Sequence, residues 1–202
     1  MQRVATDHPT ARVVGYGHRF GLAVVEGAPT EDQARRLLHD HLRFDTRGCM
    51  APAGVFVVGG AARPWMDALA AAAVDVTSQR VRGPISPALG PEWRRRLGLA
   101  RATLGVATTG DFVAVGVRPE HFVPVALPWL SSVVPVRDRA HLVELVDTHA
   151  DRISVLARPA ALAPLLDHRV DRTCAPGELQ SPPFPRHHDG QPMFARVCGW
   201  EG

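Results

Sequence analysis

Short apolar runs alternate with amphipathic or alanine-rich stretches along most of this chain, and that alternation constrains its fold more than any other feature. Val55-Phe-Val-Val58 is a continuous apolar run closed by Gly59-Gly60, the pattern of a buried strand. Ala11–Val14, Leu22–Val25, Ile153–Ala157 and Val170–Cys174 read as further strands. Leu104–Ala107 and Phe112–Val117 flank Thr-Thr-Gly-Asp, a hairpin signal. Ser132–Val136 is another strand, and its Pro135 puts it at a sheet edge or places that residue near a strand end. Helices fall between these runs. Thr30-Glu-Asp-Gln is a capping box opening a helix over Glu31–His41. Pro64 stands at the start of an alanine-rich helix through about Val76, where proline is tolerated. After a turn at Gly83-Pro-Ile-Ser-Pro-Ala, helices are expected over Pro91–Leu99, over Arg139–Ala150 with Asp138 as cap, and over Ala160–Leu166. Strands alternating with helices imply an α/β fold: a mainly parallel sheet flanked by helices.

Composition mainly excludes. A chain of 202 residues, 46% apolar and 21% charged, suits one domain with a real core. No apolar run is long enough to span a bilayer, since Asp67 and Asp75 interrupt the best one, and Met1–Pro9 is too polar for a signal peptide. The cytoplasm is the expected compartment. There is no lysine; all 23 basic residues are arginine. Schiff-base catalysis and a P-loop lysine are therefore excluded. The arginines are scattered apart from Arg94–Arg96, and a single Tyr is present. No basic stripe with stacking aromatics emerges, so nucleic-acid binding is not expected. Cys49, Cys174 and Cys198 are too few and too widely spaced for a disulfide framework and read as free thiols.

Phe44-Asp-Thr-Arg-Gly-Cys49-Met-Ala-Pro-Ala-Gly-Val-Phe-Val57 carries the most chemical information. A cysteine follows a glycine in a polar loop that leads into a buried strand. Gly48 lets backbone approach the thiol, so N–H groups of the loop from Gly48 to Met50 could face a substrate oxygen. Arg47 could favour the thiolate electrostatically. A thiolate attacks thioester and aldehyde carbonyls and holds the acyl group as a thioester. The competing reading is a buried, inert cysteine at a loop-to-strand junction.

Other constellations are weaker. Cys174, His187, His188 and Cys198 lack any Cys-x-x-Cys pair, so no metal is expected. His187 and His188 could serve as acid or base beside the thiol, or be solvated loop residues. Asp45 and Arg47 could form an ion pair that merely shapes the loop. Gly15-x-Gly17-x-x-x-Gly21 has the wrong spacing for a dinucleotide loop and precedes a strand pattern. No Gly-x-Ser-x-Gly elbow is present.

Gly48-Cys49 with Val55-Phe-Val after it resembles the nucleophile loop of the aldehyde dehydrogenase superfamily. The fuller string Asp45-Thr-Arg-Gly-Cys-Met-Ala-Pro is similar to its acyl-CoA reductase branch, the fatty-acyl reductases of the bacterial luminescence type. Cys174-Ala-Pro-Gly-Glu-Leu-Gln180-Ser-Pro-Pro183 followed by His188-Asp-Gly190 resembles the end of those reductases, and Gly17-His-Arg19 is a third match. The resemblance implies an aldehyde-dehydrogenase-like catalytic domain over residues 1–202, with a loop-rich tail from about 175 and no Rossmann domain. It implies Cys49 as nucleophile toward an acyl-CoA or acyl-carrier thioester, the acyl-enzyme being reduced to an aldehyde with NADPH or NADH. The cofactor would be bound by a missing domain or a partner polypeptide, and a homo- or hetero-oligomer is expected. His188 and Gln180 would lie near the site, and His18-Arg19 could meet an acidic group such as a CoA phosphate. The superfamily's hydrolytic glutamate has no clear counterpart, which suits an acyl group kept from water. Two other readings stay open: a degenerate homologue serving as an interaction or oligomerisation module, and a cofactor-independent acyltransferase or thioesterase using the same thiol.

Overall fold

The computed structural model describes residues 19–183, with the backbone of 187–188 and 191–192. The expected strand Ala11–Val14, the glycines at 15 and 17, His18 and Cys198 lie outside the described residues, as do the side chains of His187 and His188.

Seven strands form one sheet in the order β3-β4-β5-β2-β1-β6-β7. They are β1 Phe20–Glu26, β2 Pro52–Val58, β3 Val106–Thr109, β4 Phe112–Gly116, β5 Leu130–Val136, β6 Ile153–Ala157 and β7 Thr173–Cys174. The hairpin pair β3–β4 is antiparallel and every other pairing is parallel. A two-stranded ribbon of β8 His187–His188 and β9 Gln191–Pro192 stands apart. The helices are α1 Glu31–Leu42, α2 Ala62–Gln79, α3 Gly90–Ala102, α4 Arg139–His149 and the short α5 Ala163–Leu166.

The capping box forms: Thr30 Oγ1 accepts from the Gln33 N–H and the Gln33 side chain accepts from the Thr30 N–H. Asp138 caps α4 by accepting from the His141 N–H at 2.8 Å. Interior strands bury both faces, which is why they read as unbroken apolar runs rather than alternating ones. Ala23, Val25, Val55 and Val57 pack with Leu37 and Leu38 of α1 and Trp65, Met66 and Leu69 of α2. Leu22, Val24, Phe56 and Val134 pack on the opposite face with Ala100 of α3 and Leu142 and Val146 of α4. Helices therefore cover the sheet on both sides.

Of the two placements open for Pro135, the second holds: β5 lies between β4 and β2, and the proline sits one residue from the strand end. Two expectations need correction. The expected strand Val170–Cys174 shrinks to Thr173–Cys174 at the sheet edge. Ala160–Leu166 divides into a 3-10 turn and the single-turn α5, because Pro164 removes an N–H there.

Candidate active site

Cys49 is exposed, which removes the reading of a buried cysteine. It stands on a turn between α1 and β2, at the amino-terminal ends of the parallel strands. Ligands of open α/β sheets commonly sit at the opposite, carboxyl ends. The turn closes through the Ala51 N–H, which donates to Gly48 O at 2.9 Å. Two strands hold it from below. The Gly21 N–H of β1 donates to Ala51 O at 3.2 Å, and Ser154 Oγ of β6 donates to Cys49 O at 3.0 Å. A side chain on Gly21 would collide with Met50 O. Gly21 is thus a close-packing glycine beneath the thiol, a role the sequence pattern did not disclose.

The chain before the turn is bent. Asp45 and Thr46 take φ of 52° and 60°, a left-handed conformation that non-glycine residues rarely adopt. Hydrogen bonds hold it there. Thr46 Oγ1 donates to His41 O at 2.9 Å and accepts from the Trp129 N–H at 3.2 Å. Asp45 accepts from the Trp129 indole at 2.9 Å and pairs with Arg80 at 3.4 Å. Arg47 points elsewhere, donating to Pro84 O at 2.7 Å. The suggested Asp45–Arg47 ion pair is not formed.

A cavity of about 560 Å³ opens beside Cys49, Gly48 and Arg47. Its basic lining is completed by Arg19 and Arg152, and its apolar lining includes Phe20, Leu89 and Val125. Met50 is half-buried, its sulfur 3.5 Å from the Arg172 guanidinium. Among the described residues, the Cys49 N–H makes no hydrogen bond, so it remains available as a donor.

The tail brackets the base of the turn. Asp40, at the end of α1, is fully buried and accepts from the N–H groups of Gly177 at 2.6 Å and Leu179 at 3.1 Å. Burial pushes its carboxyl up to about 6, against the lowering pull of those amides and of Arg172. Gln180 donates to Asp40 O at 3.2 Å and packs beside Gly48, against the turn that carries Cys49. Its Oε1 is buried with no hydrogen-bond partner among the described residues. His41 is buried against Ser131 Oγ at 3.0 Å, and burial drives it down to about 3, so its imidazole is neutral. The Cys174 thiol is half-buried and pushed up to about 12 by burial, which keeps it protonated. No group of three His, Cys, Asp or Glu side chains converges as a metal cluster among the described residues.

Residues 3–80 match the acyl-CoA reductase (LuxC) family. No curated protein matches the chain. The fold is that of the aldehyde dehydrogenases, at low sequence identity. Δ1-pyrroline-5-carboxylate dehydrogenase of Mycobacterium tuberculosis, bound with NAD, is 16% identical with a TM-score of 0.60, covering 85% of this chain and 38% of that one. Glyceraldehyde-3-phosphate dehydrogenase of Methanocaldococcus jannaschii, complexed with NADP, is 9% identical with a TM-score of 0.56, covering 81% and 40%. Methylmalonate-semialdehyde dehydrogenase of Oceanimonas doudoroffii is 16% identical with a TM-score of 0.52, covering 82% and 40%. The chain spans about two fifths of the length of these dehydrogenases.

A nicotinamide dinucleotide does not fit the turn after β1. That turn, Gly27-Ala-Pro-Thr30, has a single glycine, and α1 opens with Glu31 and Asp32, whose carboxylates repel a pyrophosphate at a helix N-terminus. No helix among the described residues is long and apolar enough to cross a membrane.

Sequence reasoning missed Ser154 and Arg152. The only available signals were a hydroxyl inside the apolar run Ile153–Ala157 and an arginine immediately before it.

Proposed function

We propose that this chain is the thiol-bearing part of an acyl-thioester reductase, in which Cys49 accepts the acyl group of an acyl-CoA or acyl-carrier thioester. The observation that carries this reading is an exposed cysteine at a cavity, on a turn held by two strands. The acyl-CoA reductase match over residues 3–80, which includes Cys49, supports the substrate class.

The Cys49 thiolate adds to the thioester carbonyl, the C–S bond to the carrier breaks, the departing carrier thiolate takes up the proton that Cys49 gave up, and a thioester to Cys49 remains. The charge that develops on the carbonyl oxygen would be met by the Cys49 N–H, which makes no hydrogen bond among the described residues. Arg47, Arg19 and Arg152 make the surroundings of Cys49 positive. His188 is retained as a candidate acid or base. A nicotinamide cofactor supplies hydride in reductases of this kind. The fit at α1 argues that it is held by a partner or by chain outside the described residues, in a homo- or hetero-oligomer.

Incubation with a long-chain acyl-CoA should add the acyl mass to the intact chain, and Cys49→Ser should abolish the adduct. An equal adduct on the variant, or none on the wild type, contradicts the reading. NADPH, then NADH, is added next. An adduct that persists without aldehyde favours either acyl transfer or a reduction that depends on a partner.

A further inference from the structure

The cavity beside Cys49 has a chemical character that a purely apolar acyl group does not use. Three arginines line it, Arg19, Arg47 and Arg152, and no carboxylate side chain does. Arg19 is already paired, with Asp171 at 2.6 Å. Arg47 and Arg152 form no salt bridge among the described residues. Arg47 is braced by Pro84 O at 2.7 Å, and Arg152 lies over the Phe20 ring at 5.8 Å. Both are therefore oriented without being neutralised. Phe20, Leu89 and Val125 give the same cavity an apolar wall. Two unneutralised guanidiniums beside an apolar surface match a ligand that is apolar in one part and anionic in another.

We propose that this cavity recognises an oxyanion built into the thioester substrate, with Arg47 and Arg152 as its ligands and Arg19 as supporting charge. The inference rests on Cys49 being the acyl acceptor. The oxyanion is either a phosphate of the carrier or a carboxylate on the acyl chain; both present the same chemistry to a guanidinium. The arginines thus select and orient the substrate, beyond any effect on the thiol itself.

Three eight-carbon thioesters separate the possibilities, with acylation of Cys49 followed by intact mass at low salt. They are octanoyl-CoA, the neutral octanoyl thioester of N-acetylcysteamine, and the suberic acid monothioester of N-acetylcysteamine. At least one anionic thioester should react about tenfold or more faster than the neutral one, the size of a lost charge-assisted contact. Arg47→Gln with Arg152→Gln should slow the anionic thioester about tenfold more than it slows the neutral one, removing the discrimination, and Arg152→Lys should recover part of it. Preference for octanoyl-CoA assigns the carrier phosphates; preference for the suberic thioester assigns an acyl carboxylate. Equal rates for all three, or an equal slowing of all three in the variants, overturns the proposal. Binding is read separately from acylation. Pyrophosphate or suberate should slow iodoacetamide alkylation of Cys49 in the wild type and not in the double variant. Protection without any acylation keeps the anion site and removes the acyl-enzyme; acylation without discrimination or protection does the reverse.

Discussion

Thiols react as thiolates, and the two described cysteines differ sharply in what surrounds them. Cys49 is exposed among arginines, whereas burial holds Cys174 protonated, up to about 12. Gly21 tests how far the position of the first depends on the strand below it. Gly21→Ala forces a methyl group toward Met50 O and must lift the turn. The expected result is a loss of about 1–3 kcal/mol of stability by urea denaturation, with Cys49 acylated more slowly by acyl-CoA. Unchanged stability and rate would contradict the close packing. The sequence showed Gly21 as part of a glycine string and invited comparison with phosphate loops. Its actual role depends on a contact with Met50, a residue 29 positions on, which no local spacing encodes. The setting of Cys49, a turn leading into a buried strand, was legible because its signal is local: a glycine, a thiol and the strand that follows.

At the scale of elements, the cavity wall hangs on one buried arginine. Arg96 of α3 is 3% exposed and donates to Glu92, to Ser132 Oγ at 2.8 Å and to the carbonyls of Val123 at 2.9 Å and Val125 at 3.3 Å. It ties α3 and β5 to the segment that supplies Val125 to the site. Arg96→Leu leaves the Val123 and Val125 carbonyls and Ser132 Oγ without their donor, while Glu92 keeps its pair with Arg95, and a loss of about 1–3 kcal/mol is expected by chemical denaturation. A loss under about 1 kcal/mol would mean that the clamp matters little. The sequence showed only the run Arg94–Arg96, and nothing in it separates the buried arginine from its exposed neighbours. Helix starts were better marked, since Thr30 and Asp138 act through residues three positions away. Pro135 left two placements of β5 open, and the structure takes the second: a central strand with the proline one residue from its end.

For the whole molecule, the alternation of strands and helices made the parallel α/β sheet legible, because burial on both faces leaves continuous apolar runs. The order of the strands was not legible, since pairing is decided by contacts between distant segments. The same buried packing sets a pH response. His41 is held near 3, below its ordinary range, so it contributes stability that is present above about 6.5 and lost as pH falls toward 3. Asp40 is held near 6, above its ordinary range, so its contribution is present below about 4 and lost as pH rises through 6. The two oppose one another on acidification, and His41 lies further from its ordinary value. Tm should therefore fall between pH 7 and pH 4, more steeply in Asp40→Asn and less steeply in His41→Gln. Parallel curves for all three proteins would contradict these assignments. The central claim, that acyl chemistry starts at Cys49, is tested most directly by peptide mapping after incubation of the wild type with acyl-CoA. The account predicts the acyl group on the peptide containing Cys49 and none on the peptide containing Cys174; acylation of Cys174, or of neither, would contradict it.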